Sequence, residues 1–320
     1  MLKYMIIPLA DDAVSFCHYE KGSSTDRLMP LDILEQAIFW SMKENLNVQF
    51  VYPDSVLPDG YKQLIDTVDH ADIVSSRCED TDLLAGADVV VLESWEDVRS
   101  MECAAEGSYV VRTTLNGFID NAECIIKMLR AVSRLVVVLT DIDALTDEDF
   151  GRYRKALEGL LPVIADEYAA DHAVQFNLLT DRIFLDSMNN CGAGDESITL
   201  APDGKFYVCP AFWLDGSESA GDLASGVDIK NPQLFRLDHA PICRKCDAFQ
   251  CRRCVWLNRK TTLEVNTPSH EQCVVAHTER NASRSLASLL RQKGIVLPHG
   301  DIKEIDYLDP FEIIKSRTRQ

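Results

Sequence analysis

Seven of the chain's eleven cysteines fall between Cys191 and Cys273, at spacings that suit metal better than a packed core. They are Cys191, Cys209, Cys243, Cys246, Cys251, Cys254 and Cys273. The run from 243 to 254 reads CRKCDAFQCRRC, two C-x2-C knuckles four residues apart. A C-x2-C sets two thiolates on one tight turn, where both can ligate the same ion or cluster. This half of the chain is therefore expected to fold around metal. Thiolate count fits iron–sulfur clusters and zinc equally at this point.

Bulk properties narrow the class. At 320 residues with 46% hydrophobic and 26% charged content, the chain has material for a sizeable core and two domains. No stretch approaches the ~18–20 apolar residues of a membrane span. The opening MLKYMIIPLADDAVSF reads as a first strand and not as a signal peptide. A cytoplasmic location follows as the expectation, where clustered thiols mean metal or catalysis more often than disulfides. A net charge of -19 argues against nucleic acid or an anionic membrane as partner. Around the knuckles the sign reverses, with Arg236, Arg244, Lys245, Arg252, Arg253, Arg259 and Lys260 close in sequence. Cations there would offset the negative charge of a thiolate-ligated centre, or else form a basic patch for a partner.

The first ~185 residues alternate β-type runs with helical periodicity, as parallel βα units do. Expected strands cover 4–9, 48–52, 72–75, 87–92, 108–112, 135–140 and 174–178. Runs such as LVVVLT and ADVVVLE are apolar on consecutive positions, which suits strands covered on both faces. Helices are expected over 30–45, 117–133, 146–170 and 276–293. The fold class is thus α/β, an open βα barrel, with a doubly wound sheet as the rival. From about Asn189 periodic helices give way to glycine, proline and cysteine, as in a small domain held by metal. The expected division is 1–188 barrel, 189–275 cysteine-rich domain and 276–320 helix and tail, the tail after Pro298 being an extended arm or short helix.

The cysteine window resembles the SPASM domain, the auxiliary iron–sulfur module of many radical S-adenosylmethionine (radical SAM) enzymes that modify peptides. Cys191, Gly204 and Cys209 follow that family's C-x(9–15)-G-x4-C, and Gly221-Asp222-Leu223 falls where a glycine turn often precedes the knuckles. The middle block here is C-x2-C-x4-C-x2-C, one residue short in each later gap. The resemblance implies one four-iron ([4Fe-4S]) cluster on Cys243, Cys246, Cys251 and Cys273. It implies a second on Cys191, Cys209 and Cys254, which is one ligand short. That second site has an open position, borrows a ligand, or does not form. The barrel of such enzymes needs C-x3-C-x2-C after the first strand, and this chain has only Cys17 there, with Lys21 and Ser24 at the partner positions. The glycine-rich motif expected after the second strand is replaced by VYPDSVLP.

A narrower family combines a barrel lacking the radical motif with a SPASM-like module: the CXXX repeat peptide maturases. The chain is similar to them through DDAVSFCHYE, MKENLNVQFVYP, VVLTDIDALTDEDF and CRKCDAFQCRRCVWLNRKTTLEVNTPSHEQC. The resemblance implies maturation of a ribosomally made, cysteine-rich precursor peptide alongside a partner radical SAM enzyme, through peptide binding or electron relay. The competing reading is a zinc-stabilised protein- or peptide-binding scaffold without redox function. A hydrolase or transferase comes last, since no nucleophile elbow or phosphate loop is present.

Other groups have plainer readings. Adjacent Cys17 and His18 would point to opposite faces of a strand and so make a poor nucleophile–base pair. Cys78, Cys103 and Cys124 read as ordinary apolar thiols. His239, His270 and His277 lie near the window as candidate further ligands. Asp141, Asp143, Asp147, Glu148 and Asp149 suit helix capping as well as magnesium. Trp213 and Trp256 would shield a metal site.

Overall fold

The computed structural model describes residues 2–22, 27–185, 190–248, 251, 254–299 and 302. Ser24, Arg252, Arg253 and nearly all of the tail after 299 lie outside the described residues.

Among the described residues nine strands form one sheet: β1 (Tyr4–Pro8), β2 (Asn47–Val51), β3 (His70–Ser75), β4 (Val89–Leu92), β5 (Ser108–Thr113), β6 (Arg134–Leu139), β7 (Gln175–Phe176), β8 (Ser197–Leu200) and β9 (Phe206–Tyr207). Their order is β7-β6-β5-β4-β3-β2-β1-β8-β9. Every neighbouring pair is parallel except β8 and β9. A two-stranded hairpin, β10 (Gly221–Asp222) with β11 (Gly226–Val227), is joined to the end of this sheet by a bridge between Asp222 and Lys205.

Helices fill the crossovers. They are α1 (Leu31–Lys43), α2 (Tyr61–Ile65), α3 (Thr81–Gly86), α4 (Trp95–Ser100), α5 (Leu115–Asp120), α6 (Ala122–Ala131) and α7 (Asp147–Ala169). Beyond β7 come α8 (Asp181–Phe184), α9 (Pro210–Leu214), α10 (Val255–Thr262) and α11 (His270–Gln292). From β1 to β7 the strand order never reverses, so right-handed crossovers lay the helices on one face of the sheet. A doubly wound sheet would reverse and be covered on both faces. The open βα barrel is therefore the architecture, and its edges at β7 and β9 do not meet.

The two faces bury different residues. Under the helices lies the main core, with Phe50, Leu92, Val111, Leu129, Leu135, Tyr153, Leu157 and Leu286 among its members. The α7 and α11 helices pack along each other there. On the inner face Val51, Ile73, Val91, Val110 and Val138 form a separate cluster. Ala13, Val14 and Phe16 from the loop after β1 pack onto it. The lumen is thus closed over its strands by its own first loop.

Three expectations needed revision. The single helix over 117–133 is two, α5 and α6, meeting at Asn121, whose Nδ2 donates to the Gly117 carbonyl. The last helix begins at His270 and not at 276, because Ser269 caps it by accepting from the Gln272 N–H. Periodic helices do not vanish after Asn189, since α10 spans eight residues there.

Candidate metal centre

Cys17, Cys191, Cys209 and Cys254 line one cavity of about 300 Å³ on the inner face of the sheet. The strands contribute Tyr4, Ile6, Gln49 and Ser197, and Trp256 closes one side. The thiols arrive by three local devices. Cys191 precedes a turn whose Gly192 and Gly194 have φ of +65° and +80°. A side chain at Gly194 would meet the Phe235 ring at 2.7 Å, so glycine lets the turn pack closely against that ring. The Ser197 hydroxyl donates to the Cys191 carbonyl at 3.1 Å and fixes that turn. Cys209 and Cys254 are the N-caps of α9 and α10, and the Cys254 Sγ accepts from the Leu257 N–H at 3.4 Å. Backbone donors at a helix start favour thiolate over thiol.

Cys17 is held from below. Arg112, at the end of β5, donates through Nε to the Cys17 carbonyl at 2.9 Å and through a terminal nitrogen to the Tyr19 carbonyl at 2.6 Å. His18 lines the same cavity and meets the Leu139 carbonyl at 3.1 Å through Nδ1.

Burial pushes the Cys209 and Cys254 thiols well up, and each is pushed further by the neighbouring sulfurs, Cys17 and Cys191 among them. Several thiolates lining one pocket repel one another unless a cation joins them. The donor set therefore fits a thiolate-bound metal group.

Cys243, Cys246 and Cys251 form the second gathering. Burial raises the Cys251 thiol, and the charges of Cys243 and Cys246 raise it further. Cys246 Sγ accepts from the Ala248 N–H at 3.4 Å and lies 3.5 Å from His277 Nε2. Cys273 sits one turn before His277 on α11, so the two share a helix face. Behind them run two buried ion pairs, Arg182 with Glu279 and Arg280 with Asp247, the second at 2.6 Å. Both arginines pull the Cys246 thiol down against its burial. His18 and Cys251 also line a second, smaller cavity of about 40 Å³, which puts His18 between the two cysteine groups.

Three of the basic residues singled out from sequence are engaged with other groups. Arg236 pairs with Asp238, Arg259 donates to Ser217, and Lys260 reaches Asp143 at 2.8 Å. His239 also pairs with Asp238, at 2.9 Å, and the His270 ring packs edge-on to Phe150. In the acidic run, Asp141 accepts from the Leu115 N–H and Asp149 completes a capping box with Thr146, which accounts for both as helix starters. Lys21 forms ion pairs with Asp54 and Glu93. Cys78, Cys103 and Cys124 belong to or pack on the main core. Trp256 donates to Asp215 at 2.9 Å. Cys17, Arg182 and Arg280 were not legible as site residues. The one available signal was an odd count, seven thiols where two closed sites need eight.

Among the described residues, no three His, Cys, Asp or Glu side chains converge as ligands of a single metal ion. The four thiols of the larger group surround a cavity instead. A lone zinc ion at ~2.3 Å from each sulfur would draw them almost into contact, whereas a cluster spaces its thiolates on separate irons.

No protein-family model matches the chain, and no curated protein matches it. Solved structures do. Native anSMEcpe with bound AdoMet and the Cp18Cys peptide aligns with a TM-score of 0.58 at 12% identity, over 92% of this chain and 99% of that one. A histidine-tagged form of the same protein, with AdoMet bound, gives 0.57 at 12% identity over 91% and 98%. With the Kp18Cys peptide the values are 0.57, 11%, 91% and 99%. The class defined by this likeness is the radical SAM-like α/β fold, spanned nearly end to end.

Among the described residues no helix is long and apolar enough to cross a membrane.

Proposed function

We propose that the chain is a peptide-maturation protein of the CXXX repeat type. It has a radical SAM-like barrel over 1–188, a SPASM-like iron–sulfur domain over 189–275 and a C-terminal helix and tail over 276–320. In this reading it binds a cysteine-rich precursor peptide beside a partner radical SAM enzyme that carries out the radical step. The observation that carries it is the pairing of two cysteine groups with a barrel whose own loop holds one cysteine. Cys17 stands where three thiolates would be needed, and Lys21 is engaged with Asp54 and Glu93. Ala13, Val14 and Phe16 pack on the inner-face valines from the loop that lacks the other two cysteines of the radical motif, which supports a role other than radical chemistry in this chain. Structures of anSMEcpe with bound Cp18Cys and Kp18Cys peptides support a peptide as the ligand class.

Cys243, Cys246, Cys251 and Cys273 would hold one cluster, and Cys191, Cys209 and Cys254 would contribute to another. Such clusters supply one-electron transfer when bound. The chain's part is to hold them in a dry, thiol-lined setting that Arg182 and Arg280 moderate electrically.

Calorimetry on anaerobically purified protein, with a synthetic peptide carrying cysteine every fourth residue, tests the reading. Saturable binding that a serine-substituted peptide loses is the expected result. Equal binding of both peptides, or of neither, overturns it.

A further inference from the structure

We propose that Cys17, from the first loop of the barrel, is the fourth protein ligand of an iron–sulfur cluster whose other ligands are Cys191, Cys209 and Cys254. The assignment rests on the iron–sulfur reading of the cysteine-rich segment and is independent of the peptide.

The four thiols share one site. All four thiols line the same cavity of about 300 Å³, and among the described lining residues they are the only cysteines. Its room exceeds what one ion needs, and a body with four separate corner atoms uses four ligands from four directions. The ligands come from widely separated segments, as they must to enclose a volume. They are the loop after β1, the turn before β8, and the starts of α9 and α10.

The backbone around Cys17 is fastened in a way a surface loop would not need. Arg112 has a side chain only 7% exposed and spends it on the carbonyls of Cys17 and Tyr19 and on Glu20. Ser15 adds a hydrogen bond to the Tyr19 carbonyl from within the loop. Gly22 lies where a side chain would come within 2.3 Å of the Asp11 carbonyl, so the loop folds back closely on itself. These contacts set the direction of Cys17 before any metal arrives.

Four thiolates around one four-iron cluster complete its protein ligation and leave no iron open for an outside ligand. The second centre is thereby closed, and the link runs from the barrel's first strand to the cysteine-rich segment.

Iron and acid-labile sulfide counted per chain on anaerobically purified protein test this, together with the electron paramagnetic resonance spectrum after mild oxidation. Wild type is expected to hold about eight irons. Cys17→Ala and Cys254→Ala should each lose up to about half of them, or show the signal of a cluster short of one iron. Cys124→Ala, on α6, should match wild type. An iron-loaded wild type whose count and spectrum are unchanged in Cys17→Ala overturns the assignment alone. A wild type with zinc and no sulfide overturns both the assignment and the iron–sulfur reading.

Alkylation mapping of the wild-type protein gives a readout that survives if the variants do not fold. Cys17 should be protected in the metal-loaded protein and become reactive on chelation in step with Cys191, Cys209 and Cys254. Labelling of Cys17 while the other three stay protected overturns the proposal.

Discussion

Arg112 and Cys17 are joined by a hydrogen bond of 2.9 Å from the guanidinium Nε to the carbonyl oxygen, across 95 residues of sequence. The bond ties the end of β5 to the loop that follows β1. A buried guanidinium is costly unless its donors are used, and here they meet two carbonyls and a carboxylate. Arg112→Ala should therefore destabilise the protein by about 1.5–3 kcal/mol, the range for hydrogen bonds to a charged group. Lysine, with one ammonium in place of the fork, should recover only part of it. Urea denaturation midpoints of the two variants check the order.

Thr146 opens α7 with a capping box. Its hydroxyl accepts from the Asp149 N–H, and the Asp149 carboxylate accepts from the Thr146 N–H at 3.0 Å and from its hydroxyl at 2.7 Å. Thr146→Ala should cost about 1 kcal/mol, the usual worth of an N-cap. The hydrogen bonds from Thr146 hold the Asp149 carboxyl below the usual carboxylate range. A depressed carboxyl contributes stability above its unfolded pKa and loses it as pH falls through the folded one. The gap between wild type and Thr146→Ala should therefore be full at neutral pH and narrow below about pH 4. Thermal melts across that range measure it.

How far the fold could be read depended on how local its causes are. LVVVLT and ADVVVLE became β6 and β4 because a strand buried on both faces writes itself as consecutive apolar residues. Helix α1 was legible from its period, and it runs from Leu31 just inside the expected Pro30 start. The short α2, α3 and α4 were not, since five or six residues carry too little periodicity. Strands β8 and β9 were hidden among glycines and cysteines, and they are strands because β1 offers an unpaired edge nearly two hundred residues away. The site divides in the same manner. The knuckles at Cys243–Cys254 are local and were visible, whereas the approach of Cys17 to Cys191, Cys209 and Cys254 is made by topology alone.

Metal removal should act unevenly. Among the described residues Ala193, Val208, Phe212 and Val255 form a separate cluster of four buried side chains around α9 and α10, while β8 and β9 share the barrel's core through Ile198, Leu200 and Phe206. A core that small does not offset the entropy of ordering its chain. Chelation should therefore open α9 and α10 to hydrogen exchange while the amides of β2 to β6, and of β8 where it pairs with β1, stay protected. Uniform loss of protection along the chain would show instead that the barrel depends on the metal.

Glu279 carries the final prediction. Its carboxylate faces Arg182, whose side chain is 1% exposed, and accepts the Tyr153 hydroxyl at 2.6 Å. Three helices meet there, α7 through Tyr153, α8 through Arg182 and α11 through Glu279. Glu279→Ala removes the negative partner while the guanidinium stays buried, which typically costs about 3–5 kcal/mol. Glu279→Gln keeps an acceptor for Tyr153 and should cost less, because only the charge is lost. The double variant Arg182→Met with Glu279→Leu removes both charges and should recover much of the loss. That recovery marks the penalty as one of burying an unbalanced charge and not of breaking helix packing. Denaturation of the three variants side by side measures it. A double variant as unstable as Glu279→Ala would assign the cost to packing between α7 and α11.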